Sequence, residues 1–312
     1  MDINRYSPVY SIKQRHMTKL ADYSVEEIFE LLYATRQLKA KFVAHEKTNI
    51  LQGVTVAMMF GDTSLRTRSA LEIGVRQLGG DSVDLQYSEK DMRAGENIAD
   101  VVNVICRYGV GALITRGIVQ SELDNFTAIS PIPVINSTNP DYVPMQTISD
   151  LFTIWEKKRK LEGLKIAYIG KGSNVAASLI MGAVKCGMEV AVATPAEFGI
   201  KPKHIESAEQ YGSIFLTDDP ALAAKNADII YTDSYHYHSL ITEEEAKILA
   251  PYKVTNRLMS AASGTAIFMH PLPAKRGVEV SADVIDGKQS IVYDQAENKL
   301  HAIKAILALL IR

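Results

Sequence analysis

The sequence predicts an α/β protein of two doubly wound parallel-sheet domains with an active-site cleft between them. Short β-rich runs alternate with helical patterns in two series, over residues 54–138 and 165–270, and such alternation puts parallel strands in a sheet with helices on both faces. Between the series, Asn139-Pro-Asp-Tyr-Val-Pro-Met145 carries two prolines and reads as a junction. A chain of 312 residues with 47% hydrophobic content is also large for a single core.

A first helix is expected over 24–38, opened by Ser24 with Glu27 three positions on, the pattern of a capping box. The first series then reads as strand 54–60, helix 69–78, strand 81–86, helix 96–108, strand 111–116 and strand 133–138. After the junction, 146–160 forms an amphipathic helix with Ile148, Leu151, Phe152 and Trp155 on one stripe, ended by Glu162-Gly163. The second series reads as strand 165–170, helix 174–186, strand 189–194, helix 202–211, strand 213–217, helix 220–225, strand 228–233, helix 242–249 and strand 266–270. A last helix covers 296–311, and its own pattern does not say which domain it packs on.

The chain is organised around Phe60-Gly-Asp-Thr-Ser-Leu-Arg-Thr-Arg68, where an apolar strand gives way to hydroxyls and guanidinium groups. Leu71, Val75 and Leu78 follow at helical spacing, so Ser64-Leu-Arg-Thr-Arg68 belongs at a helix N-terminus, where open N–H groups and the helix dipole favour a phosphate or carboxylate. A merely capped helix with a basic first turn is the simpler reading, but arginine there opposes the dipole. In doubly wound sheets ligands bind beyond the carboxyl ends of the strands, which is where Ser64, Arg66, Thr67 and Arg116 all fall.

Net charge is only −2, with acidic and basic residues interspersed, so neither nucleic acid nor an anionic membrane is implied as a partner. Cys106 and Cys186 lie in apolar segments without metal-ligand spacing and suit a reducing compartment. The N-terminal residues lack the apolar run of a signal peptide, and the apolar stretch 302–311 is too short for a membrane span and contains Lys304; a cytoplasmic location is expected. Gly170-Lys-Gly-Ser-Asn-Val175 looks like a dinucleotide fingerprint only superficially. Its third glycine is missing, Glu189 starts the next strand where a ribose-binding acid should end it, and Lys171 points instead to an anionic ligand. His236 and His238 share a face of an extended segment but lack a third ligand, so no metal is expected.

Ser64-Leu-Arg-Thr-Arg68, Ala112-Leu-Ile-Thr-Arg116, Pro144-Met-Gln146, His270-Pro-Leu-Pro273 and Asp294-Gln-Ala-Glu-Asn-Lys-Leu-His301 together resemble the aspartate/ornithine carbamoyltransferase family, in its order and spacing, from about residue 12 to the end. The stretches 270–287 and 296–301 look more like the ornithine and putrescine branch, although Pro271 stands where ornithine enzymes usually have cysteine. The resemblance implies a carbamoyl phosphate-binding domain over 1–144, joined by the C-terminal helix 295–312, and an amino-acceptor-binding domain over 145–294. It implies carbamoyl transfer to an amine, ornithine first and putrescine or another amine next, with a non-catalytic binding or structural relative as the alternative from a different class. Ser64, Leu65, Arg66, Thr67, Arg116, Gln146 and Leu272 would hold carbamoyl phosphate, with Arg116, Thr67, Gln146 and His270 acting at the carbamoyl group or orienting its loop. A cis bond is expected between Leu272 and Pro273. Asn174, Asp233, Pro271 and Leu272 would hold the acceptor, and Lys90 or Arg93 would come from a neighbouring subunit of a homotrimer or multiple of trimers. No cofactor is implied.

Three departures stand out. Val143-Pro-Met-Gln146 replaces the family's His-Pro-x-Gln, removing a donor to the carbamoyl oxygen, a loss typically worth a hundredfold to a thousandfold in rate. Leu65 replaces a threonine. Asp233-Ser-Tyr-His-Tyr-His-Ser239 retains only the aspartate of the Asp-x-x-x-Ser-Met-Gly acceptor segment, and leaves open whether Tyr235 and Tyr237 line a pocket or pack the loop.

Overall fold

The computed structural model describes residue 3 and residues 6–9, 11–61, 64–85, 97–235 and 241–311. Its backbone divides into two units: Ile3–Phe152 joined by Asn298–Arg312, and Thr153–Glu297.

The first unit opens with α1 (Val25–Val43), whose capping box forms as the sequence suggests: Glu27 N–H donates to Ser24 Oγ at 3.2 Å, and Ser24 N–H to Glu27 Oε2 at 2.9 Å. Then come β1 (Thr55–Phe60), α2 (Leu65–Gln77), β2 (Asp81–Asp84), α3 (Ile98–Arg107), β3 (Val110–Arg116), α4 (Gln120–Ile129), β4 (Val134–Thr138) and α5 (Pro144–Lys158), which runs on into the second unit from Thr153. The four strands are parallel, in the order β2-β1-β3-β4. Ala57, Met59, Leu113 and Val134 join Leu123 and Phe126 of α4 in one core cluster. Helix α4 is absent from the sequence reading because these two residues are the only buried ones along it, too few for a clear stripe. Helix α2 starts four residues before the expected 69, since Leu65 and Arg66 are exposed and the apolar stripe begins only beyond them.

The second unit contains β5 (Lys165–Ile169), α6 (Asn174–Lys185), β6 (Glu189–Ala193), α7 (Pro202–Glu209), β7 (Ile214–Thr217), α8 (Pro220–Ala224), β8 (Ile229–Tyr231), α9 (Glu243–Leu249), α10 (Asn256–Met259), β9 (Ile267–Met269) and α11 (Ala282–Ile285), and it takes the start of α12 (Val292–Leu310). Its five strands are also parallel, in the order β7-β6-β5-β8-β9. Strands β5, β6 and β8 are buried almost throughout, as their apolar runs require in a sheet covered on both faces.

Each strand order reverses once, between β1 and β3 in the first sheet and between β5 and β8 in the second. Those reversals open the crevices in which open α/β sheets bind ligands. Among the described residues no helix is long and apolar enough to cross a membrane.

Candidate active site

At the first reversal, β1 ends at Phe60 and α2 begins directly after Ser64, whose backbone is non-helical and whose hydroxyl makes no capping bond. The first-turn N–H groups of α2 and the Ser64 hydroxyl are thus left for an outside acceptor. Within that turn Leu65 is 82% exposed, whereas Thr67 is only 3% exposed. Arg68 is taken up by structure, pairing with Asp84 and lying 5.3 Å over the Phe60 ring. Arg66 is the exposed guanidinium of the turn. Arg116 closes β3, where the pairing with β4 slips from Thr115↔Asn136 to Arg116↔Thr138. Such an irregularity re-aims the residue at a strand end, and Arg116 lies there 5% exposed.

A third cation joins these two from the other end of the chain. Lys299 of α12 donates from Nζ to Thr67 Oγ1 at 3.1 Å. Burial, then the positive charges of Arg116 and Arg66, pull its pKa down to about 8, while Asp150 opposes them. Arg66, Arg116 and Lys299 therefore share one field, with the buried Asp150 the carboxylate that acts against it. Among the described residues that act on Lys299, the positive groups outnumber the carboxylate, a balance that suits a dianion.

Asp150 also anchors Gln146, whose amide nitrogen donates to Asp150 Oδ1 at 2.8 Å. That bond orients the side chain and leaves its carbonyl oxygen as the acceptor for a ligand N–H. Locally the junction folds on Asn139, whose Oδ1 accepts from Asp141 N–H at 3.0 Å and Tyr142 N–H at 2.7 Å. Asn136 holds the Thr18 and Tyr142 carbonyls. Pro144 then opens α5, and Val143, buried, presents a branched apolar side chain.

At the second reversal, β5 leads into the Gly170–Ser173 turn and α6. Gly170 has φ +139°, and Gly172 passes so close to Gly199 that a Cβ there would lie 2.6 Å from the Gly199 backbone. Ser173 caps α6 by accepting from Ala176 N–H at 3.1 Å. Asn174 follows as the first residue of α6, with Val175 N–H donating to its Oδ1 at 2.9 Å. Asp233, beyond β8, is buried and accepts from Ser234 N–H at 2.7 Å and from the Ser173 side chain. Burial raises its pKa; His270 and these hydrogen bonds oppose the rise, and Glu279 adds to it.

His270 follows β9 and is fully buried. Its N–H donates to Gln295 Oε1 at 2.9 Å, and Leu272 N–H donates to its Nδ1 at 2.9 Å. Its Nδ1 is thus held by the backbone, and its Nε2 lies 3.4 Å from Glu279 Oε1. Leu272 has φ +56°, and its bond to Pro273 is cis, as expected. The imidazole thus fastens the Pro271–Leu272 loop.

The structure brings Ser64, Arg66, Thr67, Arg116 and Gln146 together in the first unit, and Asn174, Asp233, His270, Pro271 and Leu272 at the same end of the second unit's sheet. Lys171 does not point to an anion: its ammonium lies 3.8 Å from Glu245 and 4.9 Å over the Phe198 ring. Tyr235 packs its loop, buried and donating to the Tyr252 carbonyl at 3.1 Å. Lys90, Arg93, His236, Tyr237 and His238 lie outside the described residues. Sequence reasoning missed Lys299, Asp150, Ser173 and Glu279. Lys299 left a signal as a charge inside the Ala296–His301 motif, and Asp150 left one as the residue four positions after Gln146 on the same helix.

Residues 15–156 match the family model for the carbamoyl-P binding domain of aspartate/ornithine carbamoyltransferase, and residues 162–310 match the model for its Asp/Orn binding domain. The chain is 40% identical over 310 residues to an ornithine carbamoyltransferase of Pyrococcus abyssi, covering 97% of this chain and 98% of the relative. It is 42% identical over 300 residues to one of Caldicellulosiruptor saccharolyticus, covering 94% and 97%. The solved structure of ornithine carbamoyltransferase from Pyrococcus furiosus superposes with a TM-score of 0.92 at 40% identity, covering 96% of this chain and 98% of that one.

Proposed function

Because the chain belongs to the aspartate/ornithine carbamoyltransferase family, we infer that it is an enzyme that transfers the carbamoyl group of carbamoyl phosphate to ornithine, giving citrulline and phosphate. The observation that carries the reading is the surplus of positive charge at the β1–β3 reversal, where Arg66, Arg116 and Lys299 face Asp150 beside two helix N-termini.

Carbamoyl phosphate presents a dianion on an electrophilic carbonyl. The open N–H groups of α2, with Ser64, Arg66, Thr67 and Lys299, hold the phosphate. Arg116, with Thr67, stabilises the negative charge that grows on the carbonyl oxygen as the amine attacks. The Gln146 carbonyl oxygen, fixed by Asp150, accepts from the carbamoyl NH₂, as does the main chain at Leu272, oriented by His270. Asn174 takes the carboxylate of ornithine and Asp233 receives an amine. The amine nitrogen bonds to the carbonyl carbon, the carbon–oxygen bond to phosphate breaks, and the departing phosphate takes the electron pair and the amine's proton. Catalysis then consists of positioning and electrostatic stabilisation, with no covalent intermediate on the protein. By family resemblance the working assembly is a homotrimer or a multiple of trimers in the cytoplasm, with Lys90 or Arg93 reaching a neighbouring subunit's site.

Citrulline formation from carbamoyl phosphate and ornithine tests the reading. Ornithine-dependent release of phosphate with stoichiometric citrulline is expected. Release stimulated only by putrescine, aspartate or lysine, or by no amine, would overturn it.

A further inference from the structure

At the opposite end of the first sheet, where the strands begin, a cavity of about 520 Å³ is lined by residues that the transfer reaction does not use. Its walls are Val54 and Gly111 at the starts of β1 and β3, residues 131–133 ahead of β4, and Leu310 and Ile311 at the end of α12. Lys13, Gln14 and Arg15 complete the lining, and no acidic residue is among these groups. The volume lies within the range of small-molecule sites, and an apolar body with a few polar groups at one edge is their usual make-up.

The segment carrying the cations is held in place before any ligand arrives. Lys13 and Gln14 N–H donate to Glu27 Oε1 at 2.7 and 3.1 Å, and Gln14 Nε2 donates to the Asp22 carbonyl at 2.6 Å. Met17 pairs with β4 through the Val134 carbonyl at 2.9 Å. Glu27 thus spends its oxygens on backbone N–H groups and on the cap of α1. Arg15 donates one N–H to the Pro131 carbonyl, which leaves most of its guanidinium fork available.

We propose that this cavity binds a small amphipathic carboxylate, with its apolar body against Val54, Ile132, Leu310 and Ile311 and its head group on Lys13 and Arg15. The charge and shape match that class: two cations at the rim, an aliphatic and proline-lined interior, and a preorganised turn that lowers the ordering cost of binding. Nucleotides fit less well, since the lining offers no aromatic ring for a base.

The test is calorimetric titration of the full chain with 4-phenylbutyrate, with the phosphate site saturated by inorganic phosphate. One saturable site per chain is expected in the wild type and in Arg66→Ala. Affinity should fall at least tenfold in Lys13→Gln/Arg15→Gln, which removes the head-group partners, or in Ile311→Trp, which fills the apolar floor. The proposal is overturned by absence of saturable binding in the wild type, by wild-type affinity in both cavity variants, or by loss of binding in Arg66→Ala.

Discussion

Lys299 shows how one residue's surroundings set a measurable property of the site. Its pKa near 8 arises from burial and from the guanidinium groups of Arg116 and Arg66. Above that pH the free enzyme loses a cation, so binding a dianion must recapture a proton. Affinity for carbamoyl phosphate should be nearly flat below pH 7 and fall about tenfold between pH 7 and 9, approaching a tenfold change per pH unit only well above the pKa. Lys299→Arg should remove the fall, because arginine stays charged. Calorimetry across the pH range checks this, and the same slope in Lys299→Arg would sink it. Val143 gives a second prediction. By the family resemblance it stands where a histidine would donate to the carbamoyl oxygen, so Val143→His should raise kcat by up to about a hundredfold. Steady-state kinetics decide the matter; an unchanged kcat would mean that the carbonyl is stabilised without that donor.

Among the elements, the turn from β5 to α6 leaves the least room. A methyl group on Gly172 would lie 2.6 Å from the Gly199 backbone, and backbone cannot yield as a flexible side chain does. Gly172→Ala should therefore shift Ser173 and Asn174, costing about 1–3 kcal/mol of stability. It should also raise KM for ornithine while leaving carbamoyl phosphate affinity unchanged, which binding measurements with each substrate would show. Helix α12 carries a different tension. Lys304 is buried, donates to Gln77 Oε1 at 3.0 Å and lies 5.1 Å over the Phe42 ring, yet burial lowers its pKa to about 8. A lysine whose folded pKa is depressed is charged at a cost below pH 8, and the unfolded chain holds more protons from there to about 10.4, so stability rises with pH in that window. Lys304→Met should flatten part of the rise. Denaturant midpoints at pH 7.5 and 9.5 for both proteins test it, with equal differences counting against the assignment.

At the scale of the whole molecule, the two units carry different ligand groups. Carbamoyl phosphate at a hundred times its Kd adds about 2.7 kcal/mol to the stability of what binds it. Hydrogen exchange should then show protection gathered in β1, α2, β3, the first turn of α5 and the Lys299 region of α12, and less in β5–β9. Protection greater in the second sheet would contradict the assignment of the cation cluster.

The fold class was legible because strand and helix periods are local: the alternating runs marked every strand, and the capping box at Ser24 formed as written. Helix α4 escaped for the same reason, since two buried residues carry too little periodicity. The anion turn could be read because open N–H groups and dipole follow from a helix start beside arginine. Its completion could not. Lys299 reaches Thr67 from 232 residues away along the chain, and Ser173 meets Asp233 from a separate element. Those partners share no local pattern with the residues they serve. Helix packing and strand order bring them together, so charge balance, proton affinity and side-chain orientation belong to the tertiary structure.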